Sequence, residues 1–282
     1  MSAAVNTGTD VPLTVEAANI TQEYDKPDGG VLRVIDDLSL SITGSSINML
    51  LGPSGCGKST LLKMLGGVRP WNVKTPTTGV VKIGGKVCEG PHPDAVMVFQ
   101  QYNNRPDLTV RENVMYPFTF GEWKRRVSAS EAKARVDGML AEVGLADKAK
   151  QYPWQLSGGQ NQRVALAQKL VLRPKVLLMD EPFGALDATT RGSMQSLLVS
   201  LHKAHPCVIV FVTHDVTEAL LVGDRVMVMS TQPAKLIDDF RIGTPQPRSA
   251  EWLALAEVRG WQDRVMGHLR ATAGRGSVRV SV

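Results

Sequence analysis

Eight consecutive residues, Gly52, Pro53, Ser54, Gly55, Cys56, Gly57, Lys58 and Ser59, followed by Thr60, read G-x-x-x-x-G-K-S. This is the Walker A phosphate-binding pattern. Its glycines let backbone N–H groups approach phosphate oxygens, and the N-terminus of a following helix favours negative charge. The Lys58 ammonium can reach β- and γ-oxygens, and the Ser59 hydroxyl can ligate magnesium. Context supports this chemistry. INMLL at 47–51 is a short apolar run suited to a buried parallel strand, and STLLKMLGGV at 59–68 has helical character.

Two further segments fit the same chemistry. VLLMDE at 176–181 buries four apolar residues, so Asp180 emerges at the carboxyl end of a strand, where ligands bind in open α/β sheets. An acid there can hold magnesium, and Glu181, one residue on, is placed to orient or deprotonate an attacking water. In Leu156-Ser157-Gly158-Gly159-Gln160 the glycines permit close backbone approach and Ser157 can donate to phosphate oxygens. Gly159 and Gln160 open a helix whose N-terminus attracts anions.

The elements that must position these residues follow from periodicity. LTVEAANITQEYD at 13–25 and VLRVIDDLSLSIT at 31–43, joined by the turn cluster KPDGG, read as a β-hairpin. GVVKIGGKV from Gly79 is a second hairpin, and AVMVF at 95–99 is a buried strand. Helices are predicted at Thr109 to Tyr116 and Ala129 to Glu142, so that 101–160 forms a helical insertion. Helices at 160–172, 189–202 and 216–222 then alternate with buried strands at 176–180, 208–213 and 225–229. Such alternation predicts an α/β fold with a mostly parallel sheet, and with the Walker A loop the pattern resembles a P-loop NTPase (RecA-like) core carrying an N-terminal antiparallel β subdomain and the helical insertion. Residues 1–12 are predicted to be a flexible N-terminus, 13–240 the nucleotide-binding domain, and 241–282 a short extension. In that extension Leu253, Leu255, Val258, Trp261, Val265, Met266 and Leu269 stripe an amphipathic helix predicted to dock on the core.

The chain resembles the nucleotide-binding subunit of ATP-binding cassette transporters over most of its length. The order GPSGCGKST, VFQ, LSGGQ, VLLMDEP, GALD, VTHD is that family's order. The resemblance implies ATP and Mg2+ as ligands. It gives Gln100 in VFQ the part of a glutamine that contacts magnesium and the water, with Gln101 next to it in sequence. Asp187 in GALD corresponds to a residue at a dimer interface, and His214 in VTHD to a switch histidine at the γ-phosphate, a core or cap histidine being its ordinary reading. Tyr24 corresponds to an aromatic stacked on adenine, although an aromatic in a hairpin is often only packing. Catalysis would then fall to Glu181, His214, Gln100 and Lys58, and magnesium to Ser59, Gln100 and Asp180. The resemblance further implies a head-to-tail homodimer in which Ser157 of one subunit caps the ATP held at Lys58 of the other. The groove for a membrane permease's coupling helix maps to Gln100 to Phe120.

EALLVGDRVMVMSTQPAKL at 218–236 is similar to nitrate, sulfonate, taurine and bicarbonate importer ATPases, whereas NNRPDLTV at 103–110 departs from their common LLPWLTV. The implied system has integral permease subunits and a periplasmic or extracellular solute-binding protein, with this subunit peripheral on the cytoplasmic face of the inner membrane. The alternatives are an exporter or lipid-extracting ATPase, and a soluble cassette ATPase acting on ribosomes or DNA.

Composition is consistent with this. With 282 residues, 43% hydrophobic and 21% charged, the chain is too apolar for general disorder. Aromatics at 5% argue against a stacking surface for single-stranded nucleic acid, and no nucleic-acid partner is expected. The longest strong apolar run, Cys207 to Val212, is six residues, against about 20 for a membrane span. Three widely separated cysteines fit a reducing compartment. Of the net charge of +5, +4 lies between Arg241 and Val282, where seven arginines face three acids.

Overall fold

The computed structural model describes residues 13–69, 73–99 and 103–276. Its chain order is β1 (Thr14–Asp25), β2 (Val31–Thr43), β3 (Ser46–Leu51), α1 (Lys58–Leu65), β4 (Thr78–Ile83), β5 (Lys86–Val87), β6 (Ala95–Val98), α2 (Val110–Met115), α3 (Gly121–Arg126), α4 (Ala129–Glu142) and α5 (Gly158–Leu170). There follow β7 (Val176–Asp180), α6 (Ala188–Ala204), β8 (Val208–Val212), α7 (Val216–Val222), β9 (Arg225–Met229), β10 (Leu236–Arg241), α8 (Ala250–Leu253) and α9 (Ala256–Gly276).

Two sheets result. The smaller, in the order β2-β1-β4-β5, is antiparallel, and its long hairpin is interrupted by register shifts near Ile20 and Gln22. Asn19 and Asp37 adopt left-handed backbone there, and Asn19 Nδ2 donates to Asp37 Oδ1 at 2.9 Å, so the pair holds a bulge that coils the ribbon. The larger sheet has the order β10-β9-β3-β8-β7-β6 and is parallel except at β10, which runs antiparallel to β9.

Alternation along its central strands decides which layer covers which face. Leu50, Val176, Leu178, Val208, Val210 and Val212 pack with α1 and the small sheet. Met49, Leu51, Leu177, Met179, Ile209 and Phe211 pack instead with α4, α5, α6 and α7. Both faces are therefore dry, which is why these strands read as unbroken apolar runs. The fold is the P-loop NTPase architecture expected from the sequence.

The predicted helices at 129–142 and 216–222 form with those bounds. The C-terminal prediction needs correction. Its single helix is broken at 254–255 into α8 and α9, and Leu255 and Met266 of the expected stripe are exposed. Val258 and Val265 are buried, and the Trp261 ring lies 6.0 Å from Phe240 and 6.2 Å from Trp252. Arg264 and His268 both reach the buried carboxylate of Asp238 on β10. The extension thus docks on the sheet edge and α7. The flexible N-terminus expected at residues 1–12 lies outside the described residues.

One glycine closes α1 onto the loop beyond β5. Gly67 is left-handed (φ 69), with Val68 N donating to Lys63 O and Gly67 N to Met64 O, a Schellman cap. A Cβ at Gly67 would stand 1.8 Å from Gly90 O, whereas one at Gly44 (φ 78) would meet nothing within 4 Å. Gly44→Ala should therefore cost only the left-handed penalty, roughly 1 to 2 kcal/mol. Gly67→Ala adds displacement of the 90–91 backbone and should cost clearly more. Denaturant midpoints of the two variants check this, and equal midpoints would contradict it.

Candidate active site

The strand-to-helix junction builds the site. β3 ends at Leu51, and residues 52–57 turn into α1, using left-handed backbone at Gly55 (φ 74) and Gly57 (φ 117). Glycine is required at Gly52 for a different reason: a Cβ there would lie 2.8 Å from Cys56 Sγ and 3.1 Å from Met229 O. The Lys58 side chain folds back over the loop, with Nζ donating to Gly52 O at 2.8 Å and Pro53 O at 2.9 Å. Lys58 is buried, and two carbonyls hold its ammonium. Burial pushes the Cys56 thiol up despite the charge of nearby Lys58, and Cys207 is pushed up to about 12 by burial, so neither is poised as a thiolate nucleophile.

β7 delivers the acids. Asp180 Oδ1 accepts from Ser59 Oγ at 2.9 Å. A hydroxyl and a carboxylate at the C-terminal edge of the sheet are hard oxygen donors of the kind magnesium takes, and they fit it. Glu181 follows with left-handed backbone (φ 43), its N–H donating to Val212 O at 3.0 Å. That turn aims its carboxylate at the segment after β8, where His214 Nδ1 lies 3.0 Å from Glu181 Oε2. Asp215, the next residue, caps α7 by accepting from the N–H groups of Thr217 and Glu218.

Tyr24, Ser54, Gly55, Gly57, Lys58, Ser59, Thr60 and Glu181 line one open groove of about 400 Å³, so the structure brings the Walker A loop, the second acid and the hairpin aromatic together. Gln232 lines it as well and donates from Nε2 to Gly55 O at 2.6 Å. Sequence reasoning assigned Gln232 no role. The only available signal was its place in the STQPAKL segment. Gln100 lies outside the described residues.

Ser157, Gly158, Gly159 and Gln160 are elsewhere. Ser157 caps α5 in a reciprocal box: Gln160 N donates to Ser157 Oγ, and Ser157 N donates to Gln160 Oε1 at 3.0 Å. Asp187 caps the neighbouring α6, and the hydroxyl and N–H of Thr190 hold its carboxyl below the usual range. A Cβ at Gly159 would meet Thr190 Cγ2 at 2.6 Å, so this glycine lets the two helix starts lie side by side. The groove there, about 310 Å³ and lined by Ser157, Gly159, Gln160, Thr189 and Thr190 among others, shares no lining residue with the Walker A groove. Within one chain the LSGGQ segment at 156–160 therefore does not join the Walker A groove.

The family described as ABC transporter matches residues 35–184, more than half of the 282-residue chain. The chain belongs to the ABC transporter family. This ABC cassette is 43% identical over 224 residues to the taurine import ATP-binding protein TauB of Jannaschia sp., covering 79% of the chain and 80% of that protein. It is 39% identical over 237 residues to the bicarbonate transport ATP-binding protein CmpC of Synechocystis sp., covering 84% of the chain and 34% of that protein. The cassette thus spans about a third of this second, longer relative. Among solved structures, the dimeric post-hydrolysis state of an ATP-binding cassette bound to ADP and Pi superposes with a TM-score of 0.67 at 30% identity, covering 82% of this chain and all of that one. The cassette is an ATPase, and ATP is its nucleotide.

Removing the ammonium from the cassette's loop leaves the carbonyls of Gly52 and Pro53 without their donor and strips the groove of its buried charge. Lys58→Ala should weaken ATP binding or turnover by at least about tenfold, the scale of a lost charge-assisted hydrogen bond. Equilibrium binding of radiolabelled ATP and phosphate release measure this, and parent values in both would refute the assignment of the loop.

Proposed function

We propose that the chain is the ATP-hydrolysing subunit of an importer of small solutes in the taurine, nitrate, sulfonate and bicarbonate group, acting as a head-to-tail dimer beneath membrane permease subunits. The observation that carries the catalytic part is the 3.0 Å contact between Glu181 and His214 at the mouth of the groove that holds Lys58 and Ser59.

In this reading ATP lies along the Walker A loop, with its base near Tyr24 and its phosphates against the N–H groups of residues 54–60 and Lys58. Ser59, Asp180 and Gln100 would hold magnesium, which would supply charge neutralisation at the phosphate oxygens. Glu181 orients the attacking water and takes its proton, while His214 keeps the carboxylate aimed and meets the charge that develops on the γ-phosphoryl group. Phosphoryl transfer asks little covalent chemistry of a protein, so positioning and electrostatics account for most of the rate. The separate groove at Ser157 supports the dimer: it supplies hydroxyl and N–H donors to the nucleotide of a second copy. Asp187 then lies at the interface between copies.

Because ATP contacts both copies only when they close, binding favours the closed state and hydrolysis releases it. No helix among the described residues is long and apolar enough to cross a membrane, so in this reading the motion passes to a permease. The segment up to Phe120, where Phe120 is exposed, is the docking face for that subunit. A solute-binding protein outside the membrane would select the cargo, the cassette would sit on the cytoplasmic face, and nucleic acid has no part. The relatives named for taurine and bicarbonate transport support the importer assignment.

Glu181→Gln should retain ATP binding, lose turnover by at least about a hundredfold and accumulate as a dimer on ATP, as read by light scattering and phosphate release. Turnover at the parent rate would remove Glu181 from its role. Affinity capture of the full chain from detergent-solubilised host membranes should recover a multi-span permease. Recovery of ribosomal or DNA-repair proteins instead would refute the transport reading.

A further inference from the structure

Behind the Glu181 and His214 pair lies a cavity of about 20 Å³, room for about one water. Its walls include Arg191, Thr213, Asp215 and Glu218. Arg191, on the first turns of α6, spans two loops. Its Nη2 donates to Leu186 O at 2.9 Å, one residue before Asp187, and its Nη1 lies 3.4 Å from Asp215 Oδ2, one residue after His214. Its Nε–H is buried and meets no acceptor among the described residues. A second α6 side chain makes a parallel link: Gln195 Nε2 donates to Glu218 Oε1 at 3.0 Å. Glu218 is buried on α7, and burial raises its pKa. The start of α6 is therefore fastened to the loop carrying Asp187 at one end and to the segment carrying His214 at the other.

We propose that Arg191 is a positioning residue that couples the Leu186–Asp187 loop to His214, so that the seating of a second copy against that loop sets the imidazole against Glu181. The physical basis is the planar guanidinium fork, whose separate nitrogens bond two partners in fixed relative geometry, as a lysine ammonium cannot. A shift of the Leu186 carbonyl is then transmitted to the Asp215 carboxylate, which in turn fixes the α7 cap and the residue before it. This rests on the reading that Glu181 and His214 act on ATP in a dimer, and adds a route by which one copy primes the other's hydrolytic pair.

The test uses the full chain with Arg191→Ala, Arg191→Lys, His214→Ala and the double variant Arg191→Ala/His214→Ala. ATP affinity, phosphate release over a range of ATP concentrations and thermal midpoint are measured for each. Arg191→Ala should bind ATP within about twofold of the parent yet turn over roughly 10- to 100-fold more slowly, the range for a lost hydrogen bond to a charged group. In the proposed dimer the parent's rate should depend sigmoidally on ATP, and Arg191→Ala should flatten that dependence. Arg191→Lys keeps the charge and the fold but loses the fork, and should still be several-fold slow. In the His214→Ala background, Arg191→Ala should cost almost nothing more, because its effect passes through that histidine. Parent turnover in Arg191→Lys, or losses that multiply in the double variant, would overturn the proposal. Parent turnover in His214→Ala alone would overturn the underlying reading instead, which keeps the two failures distinct.

Discussion

The site depends on a buried ammonium. Lys58 cannot leave its charge unpaired in the interior, and the carbonyls of Gly52 and Pro53 meet it at 2.8 and 2.9 Å. That clamp ties the end of β3 to the first residue of α1, and the loop between can close only because Gly55 and Gly57 accept left-handed backbone and Gly52 leaves room for Cys56 and Met229. With the loop held in this shape, Ser59 on the first turn of α1 stands against Asp180 on β7, two strands away in the sheet. The phosphate groove and the candidate metal ligands thus follow from one constraint on one lysine.

The larger sheet then separates two kinds of chemistry. Residues alternating along β3, β7 and β8 send one set of side chains toward α1 and the small sheet, and the other toward α5, α6 and α7. The groove with Tyr24 and Lys58 borders the first layer, whereas Ser157 and Asp187 sit at helix starts in the second. In the proposed dimer, this separation is why each nucleotide needs two copies. Glu181 and His214, at the ends of adjacent strands β7 and β8, lie between the layers, and from the second layer Arg191 reaches Asp215, the residue after His214.

Much of this was legible in the sequence because it is local. A phosphate loop between a strand and a helix carries its geometry in its glycines, and α4 and α7 declare themselves by period and by the caps Ser128 and Asp215. What escaped was of two kinds. Some elements carry too little pattern: α3 buries no residue, and β10 buries Asp238 at a position an apolar residue would normally mark. Asp238 is buried because Arg264 and His268 come to it from α9, a meeting no local window contains. The other kind is a side chain whose partner is a backbone carbonyl. The bonds of Arg191 to Leu186 O and of Gln232 to Gly55 O have no side-chain partner to read, since every residue offers the same backbone acceptor.

In the proposed dimer one chain holds only half of each hydrolytic site, with Ser157 supplied by a second copy. Its most direct test is to dilute the full chain in saturating ATP and magnesium while recording turnover and molecular mass on the same samples. Phosphate release per chain should fall in step with the dimer fraction and vanish when the chain is monomeric. A monomeric chain that hydrolyses ATP at the rate of the concentrated sample would contradict it.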